Sequence, residues 1–151
     1  MKEFDYYVFI DFSENIIGYL ILEKQSINKI LPKITKFAHY KETKSKSNYL
    51  HAIIKNIKKS QLIKDFFEIN IKETKKTHEI YNQLDIFLKN NAKAEIFISI
   101  DNKEYTNFQR LIKNINRIKI IKESNLKKDS KEYKLNLVLD TLLNIQRLKN
   151  K

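Results

Sequence analysis

The amino-acid sequence predicts an α/β fold: a mixed sheet that opens with an antiparallel meander of three strands, continues in strand-helix alternation, and carries helices on its faces. Three observations predict it. Two β-rich runs follow one another around a two-residue polar tip, segments of strand and helical spacing then take turns, and the chain closes on an unusually apolar helix. A length of 151 residues is that of one ordinary domain, able to bury roughly two-thirds of its unfolded surface. A single domain over 1–151 is therefore expected.

With one glycine (Gly18) and one proline (Pro32), the usual punctuation is nearly absent and the elements rest on periodicity. Residues 6–13 and 16–23 read as two strands of a hairpin, with Glu14 and Asn15 at its tip. Residues 34–40 read as a third strand, placed just after Pro32 because proline is tolerated where a strand begins. Over 45–59, Tyr49, Leu50, Ile53, Ile54 and Ile57 recur at helical spacing, with Ser45 or Ser47 to cap the helix. Phe67, Ile69 and Ile71 alternate with Glu68 and Asn70, which makes a strand with one polar face. Helical spacing returns over 77–90 and ends at Asn90-Asn91. Residues 94–100 form a compact Ile- and Phe-rich strand ending at Asp101, 103–115 a helix, and 117–121 a short strand. A polar loop, 122–134, leads to the last helix, whose one acidic residue between Leu135 and Ile145 is Asp140. A lone carboxylate on so apolar a helix is costly unless it faces a site or a partner charge.

Composition removes several function classes. No cysteine is present, which excludes disulfides, thiolate zinc sites and a cysteine nucleophile, and fits a reducing cytoplasm. The apolar stretch 6–22 is interrupted by Asp11, Glu14 and Asn15 and is followed by no small-residue cleavage site, so no membrane partner is expected. No glycine-rich loop exists to cradle a nucleotide. The net charge of +12 suits an RNA or DNA partner. Yet 27 Lys stand against 3 Arg beside 24 Ile and 16 Asn, a bias that an AT-rich genome would itself produce, so scattered lysines also read as mere solvation of the fold.

Phosphoryl transfer with two metal ions needs several carboxylates within a few ångströms, because ions about 4 Å apart must be held by hard oxygen ligands. Asp11 on the first strand, Asp101 at the end of a later strand and Asp140 on the last helix are the candidates for catalysis and metal binding. Carboxyl ends of strands are where open α/β sheets build sites. Each candidate also has a plainer reading. Asp11 could close a strand, Asp101 could cap the helix that follows, and a lone His39 on a sheet is more often structural. Ser130 and Lys131 could contact a phosphate or sit in a solvated loop. His51 and His78 lie on predicted helices with no spaced partner for a metal.

The succession Asp11-Phe12-Ser13, Phe37-Ala38-His39-Tyr40, Ile98-Ser99-Ile100-Asp101, Asp129-Ser130-Lys131-Glu132 and Leu137-Val138-Leu139-Asp140 resembles the uncharacterised RNase H-like family grouped as domain of unknown function 3800. The resemblance spans nearly the whole chain through short motifs. It implies an RNase H-like fold, with Asp11, Asp101 and Asp140 holding Mg²⁺ or Mn²⁺ for cleavage of RNA or DNA. Glu14, His39, Ser130 and Lys131 would be accessory. Three positions depart from the family: Phe12 stands where it has Glu, Leu137 where it has Gln and Leu139 where it has Ala. Glu14 or Glu68 could replace the missing carboxylate. The departures favour an alternative, a catalytically degenerate module of the same fold that binds nucleic acid or a protein partner.

Overall fold

A computed structural model describes residues 4–13, 16–34, 44–59, 68–73, 78–112 and 115–149. In chain order the elements are β1 (Tyr6–Ser13), β2 (Ile16–Glu23), α1 (Lys24–Ile30) with a 3-10 turn at Leu31–Lys33, α2 (Lys46–Lys59), β3 (Glu68–Glu73), α3 (His78–Asn90), β4 (Ile96–Ile100), α4 (Tyr105–Leu111), β5 (Ile118–Lys122) with a 3-10 turn at Glu123–Asn125, and α5 (Lys131–Lys149).

The five strands form one sheet in the order β3-β2-β1-β4-β5. β1 pairs antiparallel with β2, and β2 with β3. β4 runs parallel to β1, and β5 to β4. The sheet is mixed and α/β, as the sequence predicts, with helices packed on both of its faces. Because β1, β4 and β5 point the same way, their carboxyl ends share one edge, and that edge positions the site.

Strand alternation splits the core into two layers. Tyr7, Phe9, Leu20 and Leu22 face one way, against Ile27 and Ile30 of α1, Leu50 and Ile53 of α2, and Leu135, Leu139 and Leu143 of α5. Val8, Ile10, Ile96, Ile98 and Ile100 belong to the other layer, with Leu84 and Leu88 of α3 and Phe108 of α4. All five residues of β4 are buried, as expected of a parallel strand covered on both faces. Gly18 of β2 serves close approach: a Cβ there would stand 2.7 Å from Leu143 Cδ2 and 3.3 Å from Leu139 Cδ1. The missing side chain lets α5 lie down on the sheet beside Asp11, the residue that pairs with Gly18.

Three expectations need correction. The strand expected over 34–40 is not formed at Ile34, which follows a 3-10 turn with φ −112° and ψ 18°; residues 35–40 lie outside the described set. Pro32 instead stands in the first turn of that 3-10 segment. The third antiparallel strand is β3, so helices α1 and α2 come before the meander is complete. Helix α1 was not expected, because its seven residues bury only Ile27 and Ile30, too few to show a period. Finally, α5 begins at Lys131 rather than near Leu135, since Ser130 Oγ accepts the Tyr133 N–H at 3.1 Å and caps the helix. Among the described residues, no helix is long and apolar enough to cross a membrane.

Candidate metal centre

Asp11 lies on β1 in register with Gly18, and alternation puts it on the same face as Tyr7 and Phe9, under α5. It is 5% exposed. Asp101 directly follows β4 and extends the ladder by donating its N–H to the Ile10 carbonyl at 3.2 Å, which seats it beside Asp11. Glu123 directly follows β5, whose last residue, Lys122, is in register with Ile100. Three neighbouring parallel strands thus each deliver one acid to the same edge. One carboxylate oxygen from each of Asp11, Asp101 and Glu123 lies within 4.8 Å of the others.

Each acid is held from its own side. Asp11 Oδ1 accepts the Phe12 N–H at 2.8 Å. Asp101 Oδ1 accepts the Lys103 N–H at 2.9 Å, in the tight turn that opens toward α4. Glu123 Oε1 accepts a hydrogen bond from Nδ2 of Asn136 on α5 at 2.9 Å. Burial is the main cause that lifts the Asp11 carboxyl well above its ordinary pKa. The nearby charges of Glu123, Asp140 and Asp101 lift it further, and the Phe12 N–H works against them.

Asp140 therefore reaches the same electrostatic neighbourhood, although the three-oxygen group does not include it. It is half-buried on α5. Its backbone carbonyl accepts Asn144 Nδ2 at 2.8 Å, and Asn144 Oδ1 in turn accepts a bond from Arg147 at 2.9 Å. Of the accessory candidates, Glu14 and His39 lie outside the described residues, as does the side chain of Glu68. Ser130 spends its hydroxyl as a helix cap, donating to the Lys127 carbonyl at 2.7 Å. Lys131 places its ammonium 5.0 Å from the Tyr7 ring centroid, at a ring four residues before Asp11 on β1. The sequence reading missed Glu123 and Asn136. The signals were there: an acid directly after a parallel strand, as with Asp101, and a polar residue inside the apolar run of α5, as with Asp140.

The donor set fits a hard divalent cation. Two oxygens on opposite sides of Mg²⁺ stand about 4.2 Å apart, and somewhat farther around a larger ion, so oxygens within 4.8 Å can share one. A cavity of about 420 Å³ opens beside the acids, lined by Asp101, Lys103, Glu123, Lys128, Tyr133 and Asn136 among others. Its two loops are tied together where Ser124 Oγ donates to Asn102 Oδ1 at 3.1 Å.

No protein-family model matches the chain, and no curated protein matches it. Among solved structures, the chain is similar to one from the structure of the PCNA:RNase HII complex from Archaeoglobus fulgidus. The two are 11% identical with a TM-score of 0.48, over 95% of this chain and 73% of that one.

Proposed function

We propose that the protein is a divalent-metal-dependent nuclease acting on the phosphodiester backbone of RNA or DNA in the cytoplasm. We read it as one RNase H-like domain, a divergent relative of the domain of unknown function 3800 proteins. The observation that carries this reading is the convergence of Asp11, Asp101 and Glu123 at the carboxyl edge of β1, β4 and β5. Like charges are gathered where one of them is buried and its pKa raised, an arrangement that costs stability and that a cation relieves. Glu123 supplies the carboxylate that is lost where Phe12 replaces the family's Glu.

Asp11, Asp101 and Glu123 would hold Mg²⁺ or Mn²⁺, with Asp140 adding negative potential from α5. A bound ion would supply charge neutralisation at phosphate and an activated water. Lys103 and Lys128, both exposed on the adjoining cavity, would hold the substrate backbone. A second reading, a binding module without catalysis, is favoured by Phe12, whose half-buried ring packs in the core layer opposite the acids.

The test is cleavage of labelled RNA, DNA and hybrid duplexes with Mn²⁺ or Mg²⁺, comparing wild type with Asp101→Asn and Glu123→Gln. Wild type should cleave at least one substrate, and both variants should lose more than the 10- to 100-fold typical of disturbing a metal's outer shell. If Mn²⁺ neither binds nor raises the melting temperature, the metal-centre reading is wrong. If Mn²⁺ binds and nothing is cleaved, the binding module is the better description.

A further inference from the structure

Helix α5 carries four buried or half-buried polar side chains in its apolar stretch: Asn136, Asp140, Thr141 and Asn144. Partners account for three of them. Thr141 Oγ1 lies 2.7 Å from the Tyr49 hydroxyl of α2, and Asn144 donates through Nδ2 to Asp140 Oδ1 at 3.5 Å while its Oδ1 accepts from Arg147 at 2.9 Å. Asn136 is different. It is 3% exposed, its Nδ2 donates to Glu123 Oε1, and its Oδ1 is buried with no hydrogen-bond partner.

That one hydrogen bond also fixes the orientation of the amide. An ionised carboxylate only accepts, so the end of the amide that meets Glu123 must be its NH₂, and the end left over must be the oxygen. A buried acceptor without a donor is costly, and this one belongs to a side chain that lines the same cavity as Asp101 and Glu123 and holds Glu123 by its other end. Only a donor or a positive charge at that place improves matters. A hard cation fits best, because it wants six or more oxygens and three carboxylates leave positions to fill. A neutral amide oxygen adds a ligand without adding another mutually repelling charge.

We propose that Asn136 is a fourth protein ligand of the divalent cation, coordinating through Oδ1 while its Nδ2 holds Glu123 in place. The proposal rests on the metal-centre reading above. Its rival is a structural hydrogen bond: Ser99 Oγ, fully buried two residues before Asp101, is also without a partner and is a hydroxyl donor. Were Ser99 or a trapped water to satisfy Asn136, the amide would be structural and indifferent to metal.

The experiment is calorimetric titration of the full chain with Mn²⁺ and Mg²⁺, in wild type, Asn136→Ala and Asn136→Asp, with melting curves in chelator to check folding. Asn136→Ala should weaken Mn²⁺ binding by at least about tenfold. Asn136→Asp keeps an oxygen but cannot donate to Glu123, and should recover binding to within a few-fold of wild type. Wild-type affinity in Asn136→Ala would overturn the proposal and leave the metal centre standing. Binding in Asn136→Asp as poor as in the alanine variant would overturn it too, reducing Asn136 to a positioning residue for Glu123. A wild-type chain that binds no Mn²⁺ would instead remove the metal centre itself. Pulsed EPR of Mn²⁺ bound to wild-type protein carrying ¹⁵N-asparagine needs no variant: coupling to an amide nitrogen is expected, and its absence would overturn the assignment.

Discussion

The two ends of the parallel strands differ in how their charges are resolved. At the amino end a cavity of about 560 Å³ is lined by Asp5, Tyr6, Glu23, Lys24, Lys89 and Asn91 among others. Donors there meet acceptors: Asp5 Oδ2 accepts the Glu95 N–H at 2.8 Å, and Arg117 donates to the carbonyls of Leu88, Asn91 and Ala94 at 2.9, 3.0 and 3.2 Å. At the carboxyl end the cavity is smaller, about 420 Å³, yet carboxylates face carboxylates and an amide oxygen is buried without a donor. Around the larger hole Asp5 and Arg117 meet hydrogen-bond partners, whereas the smaller one gathers like charges. A site is marked by chemistry that folding leaves unresolved, more than by volume.

The largest effect should come from removing charge at the unresolved end. Asp11→Asn deletes an acid from the cluster while keeping its size, so Mn²⁺ affinity should fall by more than about 100-fold, beyond what an outer-shell change costs. In chelator, the same variant should melt higher than wild type at neutral pH. The sign follows from the raised pKa of Asp11, caused first by burial and then by Glu123. The folded state holds this proton more tightly than the unfolded chain, so the stability contribution is full below the unfolded value of about 3.9. It is lost as pH rises through the folded pKa. Melting temperatures across that range should diverge progressively, with the variant ahead at the alkaline side, and should converge in acid. Parallel curves would mean that the crowding of acids carries no free-energy cost.

Next comes the resolved end. Arg117→Ala removes three hydrogen bonds from a guanidinium to the carbonyls that close α3, and should cost about 2–3 kcal/mol in urea unfolding. Mn²⁺ affinity should stay within twofold of wild type, since the ends lie a strand's length apart. A tenfold loss of affinity would show that the two ends are coupled and that the contrast between them is false.

Legibility in the sequence followed burial and run length. Asp11 and Asp101 stood out because each interrupts or ends a long apolar run, and the β1–β2 hairpin showed through eight-residue strands whose limits match the expected ones. Glu123 was hidden because β5 is a five-residue edge strand, only half-buried, that merges into a polar, lysine-rich stretch. Asp140 drew attention as an acid on an apolar helix, while Asn136, one turn earlier and more deeply buried, did not, because asparagine is common throughout this chain. Nothing in the sequence pattern placed β3 beside β2 after two intervening helices. That pairing is a long-range choice, and local periodicity does not encode it. Gly18 likewise reads as an ordinary strand glycine until α5 is seen to lie across it.

That close approach gives the next smaller effect. Gly18→Ala would press a methyl group against Leu143 and Leu139. Part of the overlap is with the flexible end of Leu143, so the cost should be modest, about 1–2 kcal/mol. Because α5 carries Asn136 and Asp140, Mn²⁺ affinity should drop a few-fold in step. Lost stability with unchanged affinity would show that the metal centre tolerates displacement of the helix.

The smallest effect should be at Lys89, and it sharpens the contrast because it concerns a charged pair at the amino end. Lys89 Nζ lies 2.8 Å from Asp85 Oδ2, one helical turn away on α3, and the hydrogen bond to Asp85 raises the lysine's pKa. Both side chains are largely exposed, 75% and 60%. Water screens such a pair, and ordering two mobile side chains offsets most of the attraction. Lys89→Ala should therefore leave the melting temperature unchanged within error at low salt as well as at high salt. The short distance alone would suggest otherwise, and Asp11 makes no such short ionic contact among the described residues, yet its substitution should move stability visibly. Burial, not proximity, decides which charges matter in this fold. A salt-dependent loss of several degrees in Lys89→Ala would mean that the amino end, too, depends on charge interactions that solvent does not screen.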